Sequence, residues 1–179
     1  MKVTHQGKSR HYRTVWFDKA RNRVRLIEQR LLPHKFKVVS TADYRETARA
    51  ITDMIVRGAG AIGAAAAYGL AQGARAFRRR GLKAFERHLA KVHHTLAEAR
   101  PTAVDPLNAM RGMLAQMTGD TVAERQAHHA RGKIQIFVAV DIDDGAAPAG
   151  LKNDARRVAP AQHMREVCAA LALSLGLGT

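Results

Sequence analysis

Cysteine is almost missing from this chain. Cys168 is the single one among 179 residues, so no disulfide forms within the chain and a reducing compartment suits it. Aromatic residues make up only 5%, which leaves few of the stacking platforms that single-strand nucleic-acid binders use. Negative charge is scarce too, with 15 Asp and Glu against 30 Lys and Arg. Long apolar runs are also lacking. The least charged stretch, Gly58 to Ala74, is too short and too weakly apolar to span a bilayer, which takes about 20 strongly hydrophobic residues. No apolar segment of signal-peptide type follows the basic N-terminus, so the cytoplasm is the expected location and no membrane partner is expected.

What remains is globular. Hydrophobic residues make up 46% and charged residues 25%, enough for one ordinary domain, or one and a fraction, with a sizeable core. The net charge of +15 is uneven. Residues 1–35 carry ten Lys/Arg against Asp18 and Glu28, and Arg78, Arg79 and Arg80 form a second cluster. A basic balance attracts nucleic acid, anionic membranes or phosphorylated small molecules alike. Neither cluster is interleaved with aromatics, and high genomic arginine usage explains the charge equally well. Nucleic acid is therefore not the expected partner.

The patterning predicts a mainly α fold: an N-terminal β-hairpin, then a four-helix bundle, then an incomplete or irregular α/β tail. Residues 1–11 read as a flexible tail. "YRTVWFD" and "RVRLIEQRLL", split by the turn "KARN", read as the two strands, the second ended by Pro33, and "FKVVS" as a short third strand. Ser40 with Asp43 three residues on forms a capping-box variant that opens the first helix. Tyr44, Ala48, Ile51 and Ile55 share one face of it, and Gly58 stops it. The alanine-rich second helix runs to the Arg78–Arg80 triplet, whose cations suit a helix C-terminus, and Gly81 is its exit. Leu82, Phe85, Leu89, Val92 and Leu96 recur at helical spacing in a third helix, closed at Arg100-Pro101. In the fourth, Asp105 caps and Pro106 takes the first helical position, with Leu107, Met110, Leu114 and Met117 facing inward. After residue 120 the chain is polar and weakly patterned. "KIQIFVAV" then reads as a buried strand, "DIDDGAAPAG" as a turn and "HMREVCAALALSL" as a helix.

"IVRGAGAIGAAAAYG", residues 55–69, has two readings. Small residues, with Gly69 and Gly73 four apart, let another backbone approach closely and make a packed core helix. That leaves Arg57 unexplained. An arginine before a glycine turn and a helix start can share a phosphate with the first free N–H groups of the helix. The segment is neither a nucleotide phosphate loop nor the dinucleotide glycine fingerprint, because the required residues do not follow. The adjacent pairs His93-His94 and His128-His129 point apart on a helix, so no metal is expected. No Ser/His/Asp constellation is present, and no cofactor is expected.

"VRLIEQRLLPH", "AITDMIVRGAGAIGAAAAYG" and "ARPTAVD", in that order, resemble the N-terminal domain of methylthioribose-1-phosphate isomerases. That fold is shared with ribose-1,5-bisphosphate isomerases and the regulatory subunits of the translation-initiation exchange factor. The resemblance covers about residues 12–117. It implies an isomerase-like domain over 12–120 and a divergent remnant of a Rossmann-like second domain over 121–179, truncated or frameshifted, a genuine short paralogue being the alternative. It also implies that Arg57, Gly58, Ala59 and Arg100 bind a sugar phosphate, with Arg57 and Arg100 at one anion site. Gly60 stands where the family has proline, and Asp105 where it has asparagine. In the tail, Cys168, Leu171, Ala172, Gly178 and Thr179 echo the family's catalytic-cysteine motif without its flanking His and Asn. On its own pattern Cys168 reads as a buried helical cysteine; through the resemblance it is the candidate catalytic residue. The implied activity is isomerisation of methylthioribose 1-phosphate in methionine salvage, with homodimers among full-length relatives. The alternative is a non-catalytic phosphosugar- or partner-binding module.

Overall fold

The structure, a computed structural model, describes residues 2–5, 8–115 and 117–130. A small antiparallel sheet near the N-terminus is followed by helices. The first residues, expected as a tail, pair as a hairpin of β1 (Lys2–His5) and β2 (Lys8–His11). A separate three-stranded sheet follows, in which β3 (Val15–Asp18) and β5 (Val38–Thr41) flank β4 (Arg23–Ile27). The expected hairpin is therefore its first two strands, and "FKVVS" supplies the third. β4 ends at Ile27, and a 3₁₀ turn at Gln29–Leu31 precedes Pro33. Val15, Val24 and Leu26 are buried, alternating with Trp16 and Arg25, as a strand with one covered face requires.

The helices are α1 (Tyr44–Thr52), α2 (Ala59–Ala76), α3 (Leu82–Ala97), α4 (Val104–Ala115) and α5 (Val122–Ala130). Ser40 does not cap α1. It lies in β5 opposite Arg25, and Asp43 takes the role, its Oδ1 accepting from the N–H groups of Arg45 and Glu46 at 2.8 and 2.9 Å. Glu46 reaches back to the N–H of Ala42 at 2.6 Å, so the reciprocal cap lies three residues later than expected. α1 ends at Thr52 rather than Gly58. Met54 adopts φ +56 there, and its N–H reaches the carbonyl of Ile51.

α2 is the buried centre, packed by α1, α3 and α4 and by β3 and β4. Nearly every residue from Ile62 to Ala74 is buried, with Tyr68 partly so. The glycine pair does permit close packing, but against side chains. A Cβ on Gly69 would lie 2.9 Å from Leu96, and one on Gly73 would lie 2.7 Å from Val92. α2 stops at Ala76, short of the arginine triplet, although Arg78 Nη1 still donates to the carbonyl of Arg75 at 2.8 Å. Gly81 (φ +100) is the N-cap of α3. In α3 the expected Phe85, Leu89, Val92 and Leu96 are all buried. α4 buries Pro106, Met110 and Met113, while Leu107 and Leu114 are partly buried. Asp105 falls inside its first turn rather than at the cap. α5, where the sequence pattern is weak, begins on a capping box. Glu124 N–H donates to Thr121 Oγ1 at 3.2 Å, and Glu124 Oε2 accepts from the N–H of Asp120 at 2.9 Å.

Candidate anion site at the start of α2

Arg57 and Gly58 lie in the short connection between α1 and α2, and Ala59 opens α2. All three are exposed. Gly58 is the N-cap, at φ +90 and ψ 135, with no side-chain cap and no acidic residue in the first turn. That conformation suits glycine. The carbonyl of Gly58 accepts the first intrahelical bond, from Ile62 N–H at 2.9 Å. The N–H groups before it have no intrahelical acceptor, as at any helix start. With the macrodipole behind them, they favour an anion.

The second motif comes alongside through two contacts. Thr52 Oγ1 at the end of α1 donates to the carbonyl of Ala99 at 3.2 Å, fixing the residue next to Arg100. A Cβ on Gly63 would lie 3.3 Å from the carbonyl oxygen of Asp105, so the first turns of α2 and α4 pack side by side. The sequence separates these segments, and α3 folds back to join them. Arg100 is partly buried. Its Nη1 is buried with no hydrogen-bond partner among the described residues. Buried guanidinium nitrogens are almost always satisfied, so this one has donor capacity left for an acceptor. Arg25 Nε is unpartnered in the same sense, but Asp18 Oδ2 stands 3.7 Å from it.

The third motif, "VRLIEQRLLPH", supplies the wall behind the turn. Gln29 Oε1 accepts from the backbone N–H of Arg57, and the N–H of Gln29 donates to the carbonyl of Ile55 at 2.9 Å. Beside it the buried Glu28 receives Arg30 Nε at 2.7 Å and Nη2 at 2.9 Å. That bidentate bond holds the Glu28 carboxyl below its ordinary range and raises the guanidinium of Arg30. Sequence reasoning missed Gln29. The motif contained it, but nothing in residue type or spacing marks a glutamine as a backbone acceptor.

Cys168 and the rest of the tail lie outside the described residues. Among those described, no group of three or more His, Cys, Asp or Glu side chains gathers to hold a metal. No described helix is long and apolar enough to cross a membrane.

The sequence profile of the Initiation factor 2 subunit family matches residues 55–147, running past Met117, where the ordered motifs end. The chain is 43% identical over 115 residues to the methylthioribose-1-phosphate isomerase of Crocosphaera subtropica, covering 63% of this chain and 32% of that relative. With the isomerase of Brucella anthropi it shares 37% over 138 residues, 73% of this chain and 36% of the relative. The chain thus spans about a third of the length of these curated relatives. Among solved structures, the translation initiation factor eIF-2B subunit delta from A. fulgidus superposes with a TM-score of 0.62 at 34% identity, covering 68% of this chain and 35% of that one. The 5-methylthioribose 1-phosphate isomerase from Pyrococcus horikoshii superposes with a TM-score of 0.58 at 35% identity, covering 66% and 35%. With more than half of its length matched by the profile, and with three ordered motifs converging on one helix start, the chain belongs to the Initiation factor 2 subunit family.

Proposed function

We propose that residues 12–120 form the phosphate-holding domain of a methylthioribose-1-phosphate isomerase, and that this chain alone binds the sugar phosphate without turning it over. The carrying observation is the buried, unpartnered Nη1 of Arg100, in the segment that Thr52 holds at Ala99 and that meets Gly63 of α2 at Asp105. Relatives named as methylthioribose-1-phosphate isomerases support the substrate. In this reading the guanidinium groups of Arg57 and Arg100 meet at one phosphate, which also accepts from the N–H groups of Gly58 and Ala59. The place of action is the cytoplasm, in methionine salvage, and residues 121–179 are the remnant of a second domain. Full-length relatives would pair as homodimers.

The chemistry explains why binding alone does not suffice. An aldose phosphorylated at its anomeric oxygen cannot open like a free sugar. An acid must assist ring opening, and hydrogen must then pass between C1 and C2. The phosphate grip is the same in ground and transition states, so it lowers the free energy of both equally and leaves the chemical step unaccelerated. Each missing acid–base group costs about 10²–10⁴-fold. We expect purified chain incubated with methylthioribose 1-phosphate to form no ketose above background. Inorganic phosphate should shift the Gly58 and Ala59 amides first in NMR spectra, and amides that stay still would sink the site. Turnover abolished by Cys168→Ser would place that cysteine in the chemistry and overturn the non-catalytic half of the proposal.

The likeness to the eIF-2B subunit favours a second reading, a partner-binding module without catalysis. Under it, Arg57→Ala leaves partner binding intact while abolishing the phosphate response.

A further inference from the structure

The Arg57–Gly58 turn has little packing of its own. Nothing lies within 4 Å of where a Cβ on Gly58 would stand, and Arg57, Gly58 and Ala59 are all exposed. A glycine in such a setting samples many conformations, and donors that wander lose the preorganisation an anion site depends on. Local bonds from Met54 and Ile55 back to α1 hold only the start of the connection. The Arg57 end is held from 28 residues earlier in the chain, by Gln29.

Gln29 grips both sides of Val56, which is fully buried. Its backbone N–H holds the carbonyl of Ile55 on one side, and its side-chain oxygen holds the N–H of Arg57 on the other. The first bond fixes the Ile55–Val56 peptide and the second the Val56–Arg57 peptide, from which Gly58 turns into α2. Gln29 is itself braced on both flanks. Glu28 is 4% exposed and held by Arg30, and Arg30 Nη1 continues to the carbonyl of Asp53 at 3.3 Å. The segment Glu28–Arg30 thus meets the connection at Asp53, Ile55 and Arg57.

We propose that Gln29 is the positioning residue of the anion site: its two bonds orient the peptides on either side of Val56, and so aim the first N–H groups of α2 and the Arg57 side chain at a phosphate. Glu28 and Arg30 are its brace. Gln29 acts through the Arg57 amide, from which its oxygen accepts. This inference rests on the anion-site reading above.

The test uses the full chain, with amide hydrogen exchange and inorganic phosphate titration both read by NMR. Gln29→Ala removes the side-chain acceptor and keeps the backbone bond to Ile55, and Gln29→Glu restores an acceptor oxygen. The expected result is Arg57 amide exchange about tenfold faster in Gln29→Ala and recovered in Gln29→Glu, with amides inside α2 unchanged. Phosphate binding should weaken about fivefold in Gln29→Ala, the effect of one hydrogen bond. Because the added charge of Gln29→Glu opposes phosphate by itself, only its exchange is read. Unchanged Arg57 exchange in Gln29→Ala overturns the proposal. So does a loss of protection along the whole of α2, and so does lost protection at Arg57 with undiminished phosphate binding. Wild-type Gly58 and Ala59 amides that ignore phosphate overturn the anion-site reading instead, and the exchange arm still decides whether Gln29 orients the peptide.

Discussion

A Cβ added at Gly58 meets nothing within 4 Å, whereas one added at Gly73 stands 2.7 Å from both γ-carbons of Val92. The two glycines are therefore small for different reasons, and substitution separates them. At Gly58 the backbone sits at φ +90, so Gly58→Ala is expected to cost about 1–3 kcal/mol through strain alone, read as a lower urea midpoint. At Gly73 the backbone is ordinary helix and the cost is overpacking. Gly73→Ala should also lose about 1–3 kcal/mol, but most of that should vanish in a Val92→Ala background, because the offending methyls are gone. A double-mutant cycle by urea denaturation measures the coupling. Absence of coupling would mean that Val92 moves aside without cost. Both positions stand out in the sequence, Gly58 by its place after Arg57 and Gly73 by its spacing from Gly69. What the spacing cannot reveal is that side chains of α3, rather than another backbone, fill the gap.

Elements whose signal is a repeated apolar spacing are legible in the sequence, and elements fixed by a distant partner are not. α3 lies where Leu82, Phe85, Leu89, Val92 and Leu96 place it. The start of α1 misleads because Ser40-x-x-Asp43 and Asp43-x-x-Glu46 are both plausible caps. The choice falls to the second because pairing with β4 keeps Ser40 extended. Its end misleads because Met54, not a glycine, takes the left-handed turn. α5 has a Thr-x-x-Glu box but little apolar periodicity, and long-range bonds help fix it: Gln126 donates to the carbonyls of Ala74 and Phe77 at 2.8 and 3.0 Å. Of the site, the arginines and the glycine turn were legible as a motif, and Gln29 was not. The join between sheet and helices was equally silent. Gln72, 1% exposed within α2, accepts from Thr47 Oγ1 at 2.9 Å and donates to the carbonyls of Thr41 and Asn22 at 3.0 and 3.1 Å. Thr41 and Thr47 lie 2.7 Å apart, oxygen to oxygen, so β5, α1 and α2 share one closed circuit. Gln72→Leu fits the volume but takes the amide donor from two carbonyls, while the Thr47 hydroxyl keeps Thr41 and the carbonyl of Asp43. At about 1–3 kcal/mol for leaving buried groups unmade, we expect a loss of at least about 2 kcal/mol in a urea melt. A loss near zero would mean that water enters to replace the amide.

At the scale of the whole molecule, the dominant quantity is the formal charge of +15, and its consequence is a stability that depends jointly on acid and salt. Glu28 is held below its ordinary value of 4.5, first by the hydrogen bond from Arg30. The folded state therefore binds fewer protons than the unfolded chain in that range, and stability rises with pH across it. The contribution of Glu28 is complete above the ordinary value and is lost as pH falls through the lowered one. Asp18 and Glu124 shift in the same direction, through backbone hydrogen bonds from Arg21 and from Asp120 and Thr121. Over the same range the 15 acidic groups lose charge while 30 Lys and Arg keep theirs, so self-repulsion grows as the pairs fail. Sodium chloride separates the two effects. Raising it from about 10 to about 100 mM shortens the screening length from about 30 to about 10 Å. That weakens repulsion among exposed charges more than it weakens the bidentate bond of Arg30 to the buried Glu28. The urea midpoint is thus expected to rise with salt at pH 7, and to rise further at pH 4. Glu28→Gln should lower the midpoint at pH 7 and flatten its fall below pH 4.5, leaving the salt response in place. A midpoint that falls with salt would mean that exposed pairs such as Arg45–Asp43, 3.8 Å apart, outweigh the repulsion. A pH profile untouched by Glu28→Gln would mean that the brace beside Gln29 contributes nothing to the fold.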